Sequence, residues 1–442
     1  MIRLMTAAAA LLLLVPRAGD HPLDKGFEAV TPELLKGYLG TLASDEFEGR
    51  CAGFPGNDKA ANYIAARMKE AGLKPVGDQD VGGDRTFFQI FLFDDGRHIT
   101  RNCVGLLEGS DATLKDEVAV IGAHFDHVGR KGQHKAGQLG KAEKDDVIWN
   151  GADDNGSGTT TVLGVLKAFA VSKAKPKRSI LFIWFSAEEW GLLGSQWYVN
   201  HPIVPLEKTV AMLNLDMTGR TDDENVANCY GIGTVEGDVF KPIVERAMKS
   251  TDGFKLNIDA SFGDGSDHVP FAGKKVPICG FGEKGPCPDY HKVGDHADKI
   301  AYPYMVKIAK AAATALYDIA DLEKRPSWNA SFTRPAPKDD GKPRVGAYLS
   351  ALEEDELAAL GLKARGALKV SGVVAGGAGE RAGLAKGDIL VSLDGKAFDA
   401  DDPRGTLVQV LENVERGREY ALEIVRDGKA ATLKVSWPEV KK

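Results

Sequence analysis

Cysteine is scarce in this chain, five among 442 residues, and an odd number cannot all pair. Basic clusters are missing as well: Lys and Arg total 56 against 63 Asp and Glu, a formal net charge of −7, and no cationic stripe marks any segment. That argues against a nucleic-acid partner, which would need one. Long apolar runs are absent with a single exception. Residues 1–18, MIRLMTAAAALLLLVPRA, join a basic residue, an apolar run and small residues. The run is shorter than the ~20 residues that cross a bilayer, so it reads as a signal peptide and not as a membrane span. The expectation is an exported protein, periplasmic or secreted, with no transmembrane segment. Export permits disulfides. Cys279 with Cys287, flanking GFGEKGP, is the expected pair, Cys51 with Cys103 a second, and Cys229 the free thiol; the alternative is that most are reduced, buried small side chains.

A chain of 442 residues exceeds one ordinary core and implies two domains or three. Helical periodicity marks TPELLKGYL and NDKAANYIAARMKEAG, which ends at Gly72. Strand-like runs follow at FFQIFLF, RNCVGLLEG, EVAVIGAH, SILFIWFS, TVAMLNLDM and VPICGFG, with helical stretches between the later ones. Strands apolar on both faces that alternate with helices predict an α/β domain, its mostly parallel central sheet covered by helices. Such sheets bind ligands at the carboxyl ends of their strands. Residues 324–344 are rich in proline and charge and read as a linker between a domain at 19–323 and a small β-rich domain at 345–438.

Five short motifs carry the chemistry: HFDH at 124–127, GADDNGSG at 151–158, SAEEW at 186–190, NLDMTG at 214–219 and DYHKVGD at 289–295. Their ligand types are imidazole and carboxylate, which suits hydrolytic zinc better than a structural cysteine site. Singly each motif is weak; five in series are specific. Adjacent strand residues face opposite sides of a sheet, so Glu188 and Glu189 can serve one site only from a turn beyond the strand. Asp126, two residues after His124, could accept that ligand's other ring proton.

In order and spacing, these motifs resemble metallopeptidase family 28, the di-zinc aminopeptidases that share a family with glutamate carboxypeptidase II and the glutaminyl cyclases. The resemblance covers roughly residues 30–320. It implies two Zn²⁺ per chain, with His124 and Asp216 on one, Glu189 and His291 on the other, and Asp154 rather than Asp153 bridging. It further implies a metal-bridging hydroxide, Glu188 as general base, and a cis peptide bond between Asp154 and Asn155. Of the remaining histidines, His127 is expected to make a structural hydrogen bond, His268 to line the cleft, and His134, His201 and His296 to be solvated. The polar loop HVGRKGQHKAGQLGKAEKDDVIWN should rim the cleft.

After the linker, ALKVSGVVAGGAGERAGLAKGDILVSLDGKAF resembles a bacterial PDZ domain of the exported-protease type, with a closing hairpin turned at DG. Gly346, Ala347, Tyr348 and Leu349 would be the loop that holds a peptide C-terminus, although VGAYL departs from the usual GLGF-like pattern. The reading is a zinc aminopeptidase acting on peptides with a free N-terminus, its PDZ domain recruiting protein. Its rivals are a glutaminyl cyclase, a carboxypeptidase, and a non-catalytic binding ectodomain.

Overall fold

Nine strands form the larger sheet: β1 Lys74–Pro75, β2 Phe88–Phe93, β3 His98–Leu107, β4 Val118–His124, β5 Ser179–Phe185, β6 Thr209–Leu215, β7 Val226–Tyr230, β8 Lys255–Asp259 and β9 Ile278–Gly282. Their order is β1-β3-β5-β4-β6-β9-β7-β8, with β2 paired to β3. The centre, β5-β4-β6-β9, is parallel, and antiparallel pairs join it to both flanks. Every residue of β4, β5 and β6 is buried, as their unbroken apolar runs require of strands covered on both faces. Ala119, Ile121 and Ala123 enter one core with helices Pro32–Leu42, Gly158–Ser172 and Tyr302–Asp321. Val118 and Val120 enter the opposite core with helices Leu193–Asn200 and His268–Gly273. Helix Pro32–Leu42 starts where the sequence directs it: the Thr31 hydroxyl accepts the Leu34 N–H at 3.2 Å, and Pro32 sits in the first turn.

This computed structural model describes residues 21–439 apart from 135–136, 140–141, 250, 252–253, 260–264, 285–286, 333–342, 353, 363–365, 375 and 401–402. The expected signal peptide at 1–18 lies outside the described residues, as do residues 333–342 of the expected linker. Among the described residues no helix is long and apolar enough to cross a membrane. β7 and β8 were not foreseen, because β7 alternates half-buried with buried positions and each strand carries an asparagine instead of an unbroken apolar run.

A second, six-stranded sheet comprises β10 Ala347–Ala351, β11 Leu368–Val373, β12 Ile389–Leu393, β13 Lys396–Ala397, β14 Glu419–Arg426 and β15 Lys429–Ser436. Its core of Leu368, Val370, Leu390, Leu422, Ile424, Val435 and Trp437 shares no residue with the cores of the first sheet. Asp427 (φ 51°) and Gly428 (φ 72°) turn β14 into β15, the two left-handed residues that a tight hairpin demands.

The stretch 325–332, read from sequence as the start of a linker, instead belongs to the first sheet. Trp328 and Phe332 pack against its second core. Glu236 N–H donates to Ser327 O and Asn329 N–H to Thr234 O, both at 2.8 Å, and Arg325 reaches Thr209 O at 2.9 Å. A chain ending after Phe332 should therefore keep the unfolding free energy of the first domain. Ending it after Glu323 should lower that energy by about 2–4 kcal/mol, the transfer value of the two aromatic side chains. Urea denaturation of both truncations measures the difference; equal midpoints would mean that the stretch contributes nothing.

Candidate metal centre

The carboxyl ends of β5, β4 and β6 finish side by side. His124 is the last residue of β4 and lies opposite Phe185, the last of β5. Beyond Phe185 the chain turns at Ala187, whose φ is 57°, and Gly191 N–H closes the turn on Glu188 O at 2.8 Å. Both glutamates thus leave the pleat, and neighbours in sequence can point into one site. Asp216 follows β6. Asp154 comes from the segment leading into helix Gly158–Ser172, and the Asp154–Asn155 peptide bond is cis. The Asn155 amide oxygen accepts Gly158 N–H at 2.9 Å and Met217 N–H at 3.1 Å, joining this segment to the one that bears Asp216.

His291 arrives from after β9 and is held by the loop expected only to rim the cleft. Its Nδ1 donates to Gly137 O at 2.7 Å, and its own carbonyl accepts the Trp149 indole N–H and the Leu139 N–H, both at 2.8 Å. The remaining ring nitrogen, Nε2, faces Asp154 Oδ2 at 2.9 Å and Glu189 Oε2 at 3.0 Å. Across the site, His124 Nε2 lies 3.5 Å from both Asp154 Oδ1 and Asp216 Oδ1, and 3.9 Å from Glu188 Oε2. Asp154 therefore turns one oxygen to each imidazole. Four sets of ligand atoms among the described residues gather close enough to hold an ion: His124, Asp154 and Asp216; His127, Asp154, Glu189 and His291; His124, Glu188 and Glu189; and, to one side, Asp153, Glu283 and Cys287.

The donors fit cations. Asp154 Oδ2, Asp216 Oδ1 and His291 Nε2 are buried and make no hydrogen bond, an arrangement that is costly unless something else satisfies them. Carboxylates also outnumber imidazoles around these atoms. Burial opposes charge on His124, yet Glu188 and Asp216 raise its pKa well above the ordinary value; burial likewise opposes charge on His291, and Glu189 and Asp154 raise it. The adjacent glutamates diverge. Burial lifts Glu188 well above the usual carboxylate range; burial would also lift Glu189, but His291 and His127 hold it well below. Beside the cluster opens a cavity of about 300 Å³ whose walls include Met217, Tyr230, His268 and Tyr290.

Asp126 has a different first job from the one expected. Its carboxylate lies 3.7 Å from His124 Nδ1 and accepts the backbone N–H groups of Glu188 at 3.1 Å and Glu189 at 3.3 Å, so it fixes the glutamate turn. His127 makes the expected hydrogen bond, and its partner is Glu189. Sequence reasoning missed Arg50, which is 1% exposed. Its guanidinium donates to four carbonyls at 2.7–2.8 Å, those of Leu42, Phe125, Asn150 and Gly151, and burial lowers its pKa to about 10. It missed Asp295 too, although the residue ends a motif: one carboxylate oxygen takes the N–H groups of Asp153 and Asp154. Of the expected peptide-holding residues of the second domain, Gly346 precedes β10 with φ 72°, while Ala347, Tyr348 and Leu349 lie on β10, paired with β11.

Several expectations are corrected. All five cysteines are free thiols, so neither Cys279–Cys287 nor Cys51–Cys103 is bonded. β9 carries Cys279 inward, against the thiol of Cys229 on β7, while Cys287 lies beside Asp153 and Glu283. His134 is buried, edge-on to the Trp190 ring at 4.4 Å, with its Nδ1 accepting Gly137 N–H at 2.8 Å. His296 is half-exposed and reaches Asp146 at 3.1 Å. His201 is exposed, as expected, but stacks on Trp197 at 3.8 Å.

Burial depresses the His134 pKa from 6.5 to about 4, so between these values the unfolded chain takes up a proton that the folded chain refuses. Stability is then lost as pH falls from about 6.5 to about 4, by about 1.4 kcal/mol per unit at most. A His134→Asn variant, which can still accept the Gly137 N–H but cannot titrate, should show a shallower loss across that window in urea denaturation. Parallel curves for the two proteins would contradict the assignment.

The sequence model of peptidase family M28 matches residues 102–316, and that of the PDZ domain matches residues 369–426. Leupeptin-inactivating enzyme 1 of Streptomyces exfoliatus is 28% identical over 300 residues, 66% of this chain and 56% of that protein. Aminopeptidase YwaD of Bacillus subtilis is 33% identical over 186 residues, 40% and 39% of the two chains. The chain thus spans about half the length, or less, of these curated relatives. Among solved structures, the LapA aminopeptidase of Legionella pneumophila superposes with a TM-score of 0.54 at 20% identity, covering 73% of this chain and 78% of that one. Bacteroides thetaiotaomicron glutaminyl cyclase gives 0.51 at 17%, covering 65% and 98%. These likenesses establish the shared α/β architecture. Residues 102–316 of this chain thus match peptidase family M28, and the match to a PDZ domain follows them in the sequence.

Proposed function

We propose that the protein is an exported aminopeptidase that removes N-terminal residues from peptides, using two zinc ions per chain. The observation that carries this reading is Asp154, whose two oxygens face two separate imidazoles, His124 at 3.5 Å and His291 at 2.9 Å. His124 and Asp216 would hold one ion, Glu189 and His291 the other, with Asp154 shared. When bound, such a pair of ions supplies a water of lowered pKa and a Lewis acid for the scissile carbonyl. Glu188 would act as general base, taking the water's proton at its carboxylate and returning it to the leaving amine. A carboxyl raised by burial takes up a proton more readily than an ordinary glutamate, which suits a group that must accept one. Asp126 would keep the acid–base glutamate and the ligand glutamate in register through their backbone N–H groups. Met217, Tyr230 and Tyr290 would line the space for the N-terminal side chain.

The PDZ domain, on this reading, binds a protein or peptide C-terminus by adding a strand beside β10, with Gly346–Leu349 holding its end. Its job would be to bring longer substrates to the peptidase domain.

Glu188→Gln should keep both ions while kcat on an amino-acyl nitroanilide falls by about 10²–10⁴ or more, the contribution of a positioned general base. Glu189→Ala should lose metal along with activity. Metal counting by mass spectrometry, run beside the kinetics, separates the two outcomes, and a Glu188→Gln enzyme near wild-type rate would remove Glu188 from the role. One tightly bound zinc with cyclisation of N-terminal glutaminyl peptides would identify a cyclase instead, and cleavage of N-blocked peptides a carboxypeptidase.

A further inference from the structure

His127 has no part in the steps above, yet it is wholly buried at their centre. Its Nδ1 lies 2.8 Å from Glu189 Oε1, while Oε2 of the same carboxylate stands 3.0 Å from His291 Nε2. One oxygen is thereby engaged and the other is left facing the ligand atoms. The imidazole is itself confined. Gly151, with φ 56°, lies flat against it, and a Cβ at that position would meet the ring carbons at 2.4 Å. The ring of His291 stands edge-on at 5.4 Å, and the His127 backbone N–H is tied to Arg50 O at 3.4 Å.

We propose that His127 is a positioning residue for the second metal half-site: its Nδ1–H fixes the Glu189 carboxylate in the rotamer that presents Oε2 to the ion. This rests on the reading that Glu189 and His291 hold a metal. A glutamate has three rotatable bonds and, left alone, spreads its carboxylate over many placements; a hydrogen bond from a ring that cannot move selects one of them. The chemistry of the donor explains why a histidine stands here. A carboxylate or a carbonyl would repel Glu189, and a lysine would bring a long, flexible chain, whereas an imidazole offers an N–H from a short, rigid ring. The competing assignment is direct ligation, since ligand atoms of His127, Asp154, Glu189 and His291 all lie within 4.8 Å of one another. Against it, Nδ1 is already engaged with Glu189 Oε1 at 2.8 Å; Nε2, buried and without a hydrogen-bond partner among the described residues, is the atom that ligation would have to use.

The test is zinc binding to the metal-free full-length protein, followed with a chromophoric competing chelator, for wild type, His127→Ala, His127→Asn and His127→Gln. In His127→Ala the second ion should bind about 10–100-fold more weakly, the usual effect of removing a group that orients a ligand, with the first ion unaffected. His127→Asn carries an amide N–H near the position of Nδ1 and should recover to within about threefold of wild type. His127→Gln, whose N–H falls farther out, should not. Should the alanine variant fail to fold, the Asn–Gln comparison makes the same decision. An unchanged second affinity in His127→Ala overturns the proposal, and so does a His127→Asn protein whose second ion binds as weakly as in His127→Ala, which would make His127 a ligand. Wild type binding fewer than two ions would instead sink the di-metal reading, and this inference with it.

Discussion

A positive charge with no carboxylate in contact organises the centre of this protein. Arg50 spends its guanidinium on the carbonyls of Leu42, Phe125, Asn150 and Gly151. Phe125 follows His124, and Gly151 comes three residues before Asp154, so a single side chain joins the loop of one imidazole to the loop of the shared carboxylate. A buried cation without a direct ionic partner is costly. Here the cost is offset by four carbonyl dipoles and by the field of Asp295, Asp126, Asp154 and Glu189, which favours the charged form. The clamp and the acidic cluster are thus mutually dependent: the cluster keeps Arg50 charged, and Arg50 keeps the loops of the cluster in place.

The same economy appears in the two neighbouring glutamates. Glu188 and Glu189 share a turn, a burial depth and a backbone anchor in Asp126, yet their proton affinities move in opposite directions. What differs is the imidazole each one meets. Glu189 touches His127 and His291 at 2.8 and 3.0 Å, whereas Glu188 approaches His124 no closer than 3.9 Å. Environment alone therefore sets the two apart, Glu189 held toward its carboxylate form and Glu188 toward its acid form.

How much of this was legible beforehand follows from which forces act locally. The ligand motifs stood out because a parallel sheet places functional residues just past strand ends, and the apolar runs of β4, β5 and β6 mark those ends in the sequence. The cis bond and the ligand set came from resemblance and not from any property of GADDNGSG itself. Arg50 gave no signal, since an arginine after a glycine in a polar stretch looks solvated until the chain 75 to 101 residues away is seen to surround it. His134 was misread for the same reason: it lies in a polar loop, and only the later Trp190 buries it. The cysteines misled because the seven residues between Cys279 and Cys287 looked like a closable loop, while β9 carries the first of them into the sheet. β7 and β8 were lost because half-buried strands near the margin of a sheet need few apolar residues.

The hold on His291 has a consequence for when the site exists at all. The groups that fix its ring and carbonyl, at Gly137 and Trp149, precede it by 154 and 142 residues, and Asp295 reaches back 141 and 142 residues to Asp154 and Asp153. The loop between His124 and Asp154 is therefore finished only by the chain's return after β9. No contiguous fragment that stops short of that return contains both halves of the cluster, so a growing or locally opened chain has an incomplete set of donors. The geometry thus makes the donor set of the centre depend on closure of the sheet, and the two halves come together only in the completed domain.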